Sequence, residues 1–305
     1  RREEDVAKEM FVANSHDHVM FFTNLGRVYK LKCYEIPEGS RTSKGMNINN
    51  LLPLSADESV TSMIKVPDIE SEQYLVMVTR NGIIKRTELS AFSHARKNGL
   101  IAIDLNEGDE LAWVRLTDGN KELVVATRNG MAIRFHETDV RVMGRAAKGV
   151  KAITLRGDDK VIGMSMLREG AYILTVSETG YGRLSNVSDY RIQSRGGKGI
   201  FTYRITEKTG KLAGMKTVTD NDDIILITSD GVIIRMHTDE ISSYSRQTQG
   251  VRVMRLDDGV SVMSIARTER EEETDEEAEN SEEVIADDTT ETQIADESET
   301  EGDVE

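Results

Sequence analysis

One pattern recurs five times along this 305-residue chain and restricts the folds open to it. Each copy has an apolar run, a turn closed by glycine, and a second apolar run ending on a basic residue. The copies are Val19-Met-Phe-Phe-Thr-Asn-Leu-Gly26-Arg-Val-Tyr-Lys30, Leu75-Val-Met-Val-Thr-Arg-Asn-Gly82-Ile-Ile-Lys-Arg86, Leu123-Val-Val-Ala-Thr-Arg-Asn-Gly130-Met-Ala-Ile-Arg134, Ile173-Leu-Thr-Val-Ser-Glu-Thr-Gly180-Tyr-Gly-Arg183 and Ile224-Ile-Leu-Ile-Thr-Ser-Asp-Gly231-Val-Ile-Ile-Arg235. The turn glycines step by 56, 48, 50 and 51 residues. A period of this length marks a repeat architecture, in which each unit buries its apolar surface against its neighbours. Asn-Gly and Asp-Gly between β-branched runs signal two-residue hairpins, whose turns need positive φ.

A second glycine follows in every copy, at Gly45, Gly99, Gly149, Gly199 and Gly250. Arg41, Arg145, Arg195 and Arg246 stand four positions before it, and Lys44, Lys148 and Lys198 directly before it. The second copy instead carries Arg96 and Lys97 in this loop, and the fifth has Gln249 in the lysine position. After the glycine comes an alternating stretch, as in Val150-Lys-Ala-Ile-Thr-Leu155 and Val251-Arg-Val-Met-Arg-Leu256, then an acidic turn and a last apolar stretch. The count is four strands per unit, which predicts an all-β chain of propeller-like blades. The repeats fall at about 11–70, 71–120, 121–170, 171–220 and 221–267. Only three prolines and little helical periodicity agree with this, and the missing Trp-Asp signature disfavours WD40.

Charge has to be partitioned before it is interpreted. The chain holds 39 basic and 54 acidic residues, a formal net charge of −15. Residues 268–305 contain 19 of the acidic residues and a single basic one, Arg270, so this segment carries −18 and the rest +3. A like-charge block of this kind reads as a disordered acidic tail, either competing for the body's cations or aiding solubility. The overall balance therefore does not exclude a polyanion partner. The apolar runs are far shorter than the ~20 residues of a spanning helix. One cysteine, Cys33, allows no intrachain disulfide, and a reducing, cytoplasmic setting is expected. The opening Arg1-Arg2-Glu3-Glu4-Asp5 reads as an internal point of a longer chain, with residues 1–10 a junction from a preceding blade.

The recurring Arg-x-x-Lys-Gly loop places cations at one position of successive blades. A lone pair of this kind is usually a solvated surface feature. Repetition on one rim suits a polymer of evenly spaced phosphates, whose neutralisation releases counterions. Glycines beside the cations would let backbone amides approach phosphate oxygens. With no aromatic residues interleaved in these loops, duplex binding through the backbone is favoured over single-strand stacking. The candidate DNA contacts are Arg41, Lys44, Arg96, Lys97, Arg145, Lys148, Arg191, Arg195, Gly196, Gly197, Lys198 and Arg246, with the hairpin-end cations Lys30, Arg86, Arg134, Arg183 and Arg235.

The densest loop, Gln193-Ser194-Arg195-Gly196-Gly197-Lys198-Gly199, resembles the A-box of DNA gyrase A, with Ser194 where that family carries a basic residue. Val12-Ala-Asn-Ser-His-Asp-His18, Gly26-Arg-Val-Tyr29, Asn50-Leu-Leu-Pro-Leu54 and Gly180-Tyr-Gly182 resemble further segments of its C-terminal domain. The resemblance implies a β-pinwheel, six-bladed in the family with five repeats visible here, that wraps duplex DNA around a basic rim. It implies partners in the remainder of gyrase A and in gyrase B, joined as an A2B2 heterotetramer, and a bacterial, nucleoid-associated setting without a membrane. In the family, ATP-driven strand passage belongs to the holoenzyme, so this fragment is expected to be non-catalytic and to hold no cofactor or metal. The corresponding domain of topoisomerase IV is a second reading, and a propeller-type protein-interaction scaffold a third.

Other residues invite a site and are more simply structural. His16 and His18 flank one residue and would point to opposite strand faces. His94, His136 and His237 are isolated in the sequence. Tyr181 and Tyr190 are read as packing or loop residues, and Trp113 as core.

Overall fold

The computed structural model describes residues 12–40 and 43–270. The first repeat supplies β1 (His18–Thr23), β2 (Arg27–Lys32) and β3 (Val60–Val66). The second supplies β4 (Tyr74–Thr79), β5 (Ile83–Glu88), the short β6 (Leu100–Ile101) and β7 (Leu111–Thr117). The third repeats this plan with β8 (Glu122–Thr127), β9 (Met131–His136), β10 (Val150–Lys151) and β11 (Val161–Met166). So do the fourth, with β12 (Tyr172–Ser177), β13 (Tyr181–Asn186), β14 (Ile200–Phe201) and β15 (Leu212–Val218), and the fifth, with β16 (Asp222–Thr228), β17 (Ile233–His237), β18 (Val251–Arg252) and β19 (Val262–Glu269).

Five antiparallel sheets result. Four have four strands, ordered β3-β1-β2-β6, β7-β4-β5-β10, β11-β8-β9-β14 and β15-β12-β13-β18, and the fifth is β19-β16-β17. The all-β, bladed architecture is as expected. The ownership of the strands is not. The strand after the second glycine crosses to the preceding blade, so β6 pairs with β2, β10 with β5, β14 with β9 and β18 with β13. It is also shorter than the alternating stretch suggested, because the next residues bond to the turn glycine of that blade. The Ala152 and Ile153 amides both donate to the Gly82 carbonyl, at 2.8 and 3.4 Å, and the arrangement recurs at Gly26, Gly130 and Gly180.

The hairpin turns differ from the two-residue form. Among the described residues only glycines have positive φ, so Asn81 and Asn129 do not adopt it. In the β4–β5 turn, Gly82 (φ 83°) donates its amide to the Thr79 carbonyl at 3.1 Å, while Ile83 N–H donates to Thr79 Oγ1 at 3.1 Å. This is the three-residue turn closed by a left-handed glycine. Thr23, Thr127 and Ser177 accept the equivalent bond.

The continuous apolar runs are explained by burial on both sheet faces. In β4, Leu75 and Met77 join a cluster with Met20, Phe22 and Phe92, whereas Val76 and Val78 face Leu123, Val125 and Phe135. A Phe→Ala truncation at Phe92 should cost about 3–5 kcal/mol. On the other side of β1, Val19 and Phe21 pack on Leu51, Leu52 and Leu54, which gives the Asn50-Leu-Leu-Pro-Leu54 segment its role. The closing strands β3, β7, β11 and β15 pack on one another in sequence, and Ile265 of β19 covers Gly214 of β15. The donated strands, and the basic loops that lead into them, therefore lie at the opposite, outer edge of each blade.

Strand β19 continues to Glu269, and the compact unit it completes runs through Thr268. The expected junction at 1–10 and almost all of the acidic tail, from 271 onward, lie outside the described residues.

Candidate nucleic-acid interface

The outer edge is built by each loop resting on the strand that leaves the loop before it. In the third repeat, Arg145 Nη1 donates to the Ile101 carbonyl at 3.2 Å, and the Ala147 carbonyl accepts the Asp104 amide at 3.2 Å. In the fourth, Arg195 Nη1 reaches the Lys151 carbonyl at 3.1 Å and its Nε the Asp139 carbonyl at 2.9 Å. In the fifth, Arg246 Nη1 bonds the Phe201 carbonyl and its Nε the Asp189 carbonyl at 3.0 Å. The loop arginines are thus clamps between consecutive loops, and they join the loops of repeats two to five into one continuous band.

The remaining loop cations face solvent from that band. Arg191, Lys198, Arg96 and Lys97 are exposed and have no side-chain partner among the described residues. Lys148 is exposed and approaches Asp104 at 3.8 Å and Asn106 Oδ1 at 3.5 Å, an exposed pair of little net worth. Lys44 is exposed on the first repeat, beside a Gly45 with nothing packed against it, while Arg41 lies outside the described residues.

The glycines in the band serve packing more than ligand access. A Cβ on Gly199 would sit 2.3 Å from the Ala132 carbonyl oxygen, because here the chain crosses onto β9. Gly196 donates its amide to the Ala152 carbonyl at 2.6 Å, and the Gly197 carbonyl accepts the Thr154 amide at 2.8 Å. The Gly196 amide is thereby committed to the neighbouring strand, and Gly197 lends that strand its carbonyl.

The hairpin-end cations are also engaged inside the protein. Lys30 Nζ donates to the Ser93 carbonyl at 2.7 Å, and burial, then Lys32, lowers its pKa. Arg86 Nε donates to the Val140 carbonyl at 2.9 Å beside a buried Glu137. Arg134 bonds Glu122 and the carbonyls of Val187 and Tyr190, and Arg235 bonds Asp223 at 2.8 Å. Arg183 is fully buried, and every guanidinium nitrogen donates to protein oxygens. It stands three residues after its turn glycine where the others stand four after theirs, so Leu184 is their counterpart. Lys30, Arg86, Arg134 and Arg183 thus fasten one repeat to the next and are buried or half-buried, whereas Arg235 remains exposed and bonds Asp223 of its own repeat.

Some exposed residues of the band escaped the sequence pattern. Arg141 occupies in the third repeat the place of Arg191 in the fourth, four residues before the loop arginine. Lys151 and Arg252 project from donated strands at the second position after the glycine; that alternation was the available signal. Phe201, 63% exposed, takes the same position in β14, and Tyr244 is 43% exposed in the last loop. The band is therefore not free of aromatic residues. Tyr190 is core, its hydroxyl paired with Thr202 Oγ1, and Tyr181 is nearly buried with Arg252 Nη2 on its hydroxyl at 3.1 Å. Trp113 is half-buried, with the Arg80 guanidinium 5.7 Å from its ring centroid. Asp17, between the two early histidines, caps the Asn14 amide at 2.8 Å.

Residues 17–67, 73–118, 121–168, 171–219 and 222–269 each match the family described as DNA gyrase C-terminal domain, beta-propeller. The chain belongs to the DNA gyrase C-terminal domain family. It is 47% identical over 274 residues to the gyrase A protein of Staphylococcus epidermidis (strain ATCC 12228), covering 89% of this chain and 31% of that protein. It is 45% identical over 294 residues to that of Staphylococcus aureus (strain MRSA252), covering 95% and 33%. The chain thus spans about a third of the length of these curated relatives. Among solved structures, the C-terminal domain of DNA topoisomerase IV superposes with a TM-score of 0.81 at 26% identity, covering 93% of this chain and 90% of that one. The gyrase A C-terminal domain does so with 0.72 at 28% identity, covering 84% and 83%. No helix among the described residues is long and apolar enough to cross a membrane.

Proposed function

We propose that this gyrase-family domain binds duplex DNA without sequence preference and bends it along the outer band, as the DNA-wrapping part of a type IIA topoisomerase. The observation that carries this is the chaining of loops through Arg145, Arg195 and Arg246, which aligns Lys97, Lys148, Arg191 and Lys198 along one edge. Spaced cations on a rigid curved edge neutralise successive phosphates and favour a bent path. A path of fixed hand gives the crossing that lets the full enzyme, with the rest of gyrase A and with gyrase B as A2B2, introduce negative supercoils using ATP. On this reading the domain performs no chemistry itself.

The test is titration with duplex DNA over a range of salt, and ligation of a nicked circle in the protein's presence. Affinity should fall steeply with salt, and the ligated circles should shift in linking number in one direction. Salt-insensitive binding, or preference for single strands, would overturn the reading. The topoisomerase IV reading draws on the TM-score of 0.81 to that domain. Assembled with the other chains of its enzyme, a topoisomerase IV domain would support relaxation or decatenation without negative supercoiling.

A further inference from the structure

Among the described residues, two cations are fully buried and lack a carboxylate partner within salt-bridge distance: Lys85 and Arg183. They occupy one position, three residues after the turn glycines Gly82 and Gly180, on β5 and β13. Their contacts correspond as well. Lys85 Nζ donates to the Ala102 carbonyl at 2.5 Å and to the Arg145 carbonyl. Arg183 Nη2 donates to the carbonyls of Thr202 and Arg246, while its Nε donates to Ser245 at 2.8 Å. Ala102 and Thr202 each stand three residues after their own repeat's second glycine, and Arg145 and Arg246 each four before that of the next. Both cations therefore tie the donated strand of one repeat to the clamp arginine of the following loop.

An unpaired charge is a costly way to make this tie. Burying an ion without a counter-ion carries a desolvation penalty that only good partners offset, and the third blade places Ile133 at the same position. A purely structural role would be met by such a hydrocarbon. We propose that Lys85 and Arg183 are positioning residues for DNA binding: each holds the backbone of a clamp arginine in the outer band and adds a positive charge beneath it. This rests on the duplex-DNA reading above.

The two differ in one testable respect. Burial, then repulsion from Arg145, pulls the Lys85 ammonium down to about 8, with Asp104 acting in the opposite direction. Arg183 is surrounded by Tyr190, Tyr203, Asp189 and Arg246, and burial lowers it too, but a guanidinium stays charged throughout the accessible range. Phosphates laid on the band would raise the Lys85 value, so binding takes up a proton. Affinity is then constant below the free protein's value and falls as pH rises through it. Folding stability moves the other way. Between about 8 and the ordinary 10.5 the unfolded chain holds more protons on this group than the folded one, so stability rises with pH.

The experiment uses the whole chain and a short duplex, titrated between about pH 7 and 9.5 at fixed low salt, with thermal unfolding in parallel. Wild type should lose affinity by roughly 3- to 10-fold over this window while its unfolding midpoint rises, relative to Lys85→Arg in both measurements; the fold-change is that of about one hydrogen bond. Lys85→Arg should bind at the wild-type strength of neutral pH with no such limb, and Arg183→Lys should add a second one. Lys85→Met should bind more weakly at neutral pH and without the limb. An unchanged limb in Lys85→Arg, or wild-type affinity at neutral pH in Lys85→Met, overturns the proposal; if Lys85→Met does not fold, the Lys85→Arg profile decides alone. If wild type binds no duplex at all, the functional reading has failed. The tie is then judged by amide exchange of loop 144–149. Exchange should exceed its intrinsic base-catalysed rise above pH 8 in wild type but not in Lys85→Arg, and equal behaviour rejects it.

Discussion

Arg195 donates from Nη1 to the carbonyl of Lys151 at 3.1 Å, so the loop that ends in Lys198-Gly199 is fastened to the strand that follows Lys148-Gly149. Its neighbour Lys198 makes no such bond and stands in solvent. The same basic motif thus divides into a structural cation and a free one, and the two should respond differently to removal. Arg195→Ala should lower stability by about 1–2 kcal/mol through two lost hydrogen bonds, and weaken duplex binding as well. Lys198→Ala should leave stability within about 0.5 kcal/mol and reduce the slope of log affinity against log salt by roughly 1. Paired thermal melts and salt titrations separate the two; equal stability losses would contradict the division.

The glycines offer a second comparison within one molecule. Gly199 (φ 74°) has the Ala132 carbonyl 2.3 Å from where a Cβ would lie, whereas Gly231 (φ 86°) has nothing within 4 Å. Both substitutions to alanine strain the backbone, which alone costs about 1–2 kcal/mol. Gly199→Ala must in addition push β14 off β9, for a total on the order of 3 kcal/mol or more. Denaturant unfolding should rank them in that order. Similar losses would mean that the strand handover is loosely packed.

This contrast explains how far the sequence could be read. Hairpins and blade count followed from the repeat, because apolar runs separated by turn glycines are local signals. Strand exchange did not follow, since Val150-Lys-Ala-Ile-Thr-Leu155 has the same alternation whichever blade it joins. Lys30, Arg86, Arg134 and Arg183 were misread as surface cations for a related reason. A cation at a strand end has one appearance in sequence, whether it meets solvent, as Lys198 does, or the carbonyls of the next repeat, as Arg134 does. The clue lay in the half-step between Arg183 and its supposed counterparts, which puts it on the opposite strand face.

Asp222 holds the last blade through a different chemistry. Nearly buried, it accepts from the Thr219 amide at 2.7 Å, from Arg168 at 2.9 Å and from Arg267 of β19 at 2.9 Å. Burial pushes its pKa up, but these donors outweigh it and hold the carboxyl below its usual 3.8. A lowered folded value stabilises above that ordinary pKa and is lost as pH falls through the folded one. Asp222→Ala should therefore lose about 1–3 kcal/mol at neutral pH, with a smaller difference in strong acid. Urea unfolding at the two pH values checks this. A difference that does not shrink in acid would mean that packing, not charge, carries the effect.

Phe201 tests whether the band works by charge at each blade. It stands 63% exposed at the position that holds Lys151 in the preceding repeat and Arg252 in the following one, and its carbonyl receives the Arg246 clamp. The clamp uses backbone, so replacing the side chain leaves it intact, and an exposed site changes stability by less than about 0.5 kcal/mol. Phe201→Lys should then raise duplex affinity at low salt and steepen the salt slope by roughly 1, one further phosphate being neutralised. Phe201→Ala should lower affinity only if the ring itself touches the duplex, and that loss would persist at high salt, since apolar contact releases no counterions. Measuring both variants at two salt concentrations distinguishes an aromatic contact from a gap in the row of cations. No gain from lysine would show that the duplex path does not pass over β14.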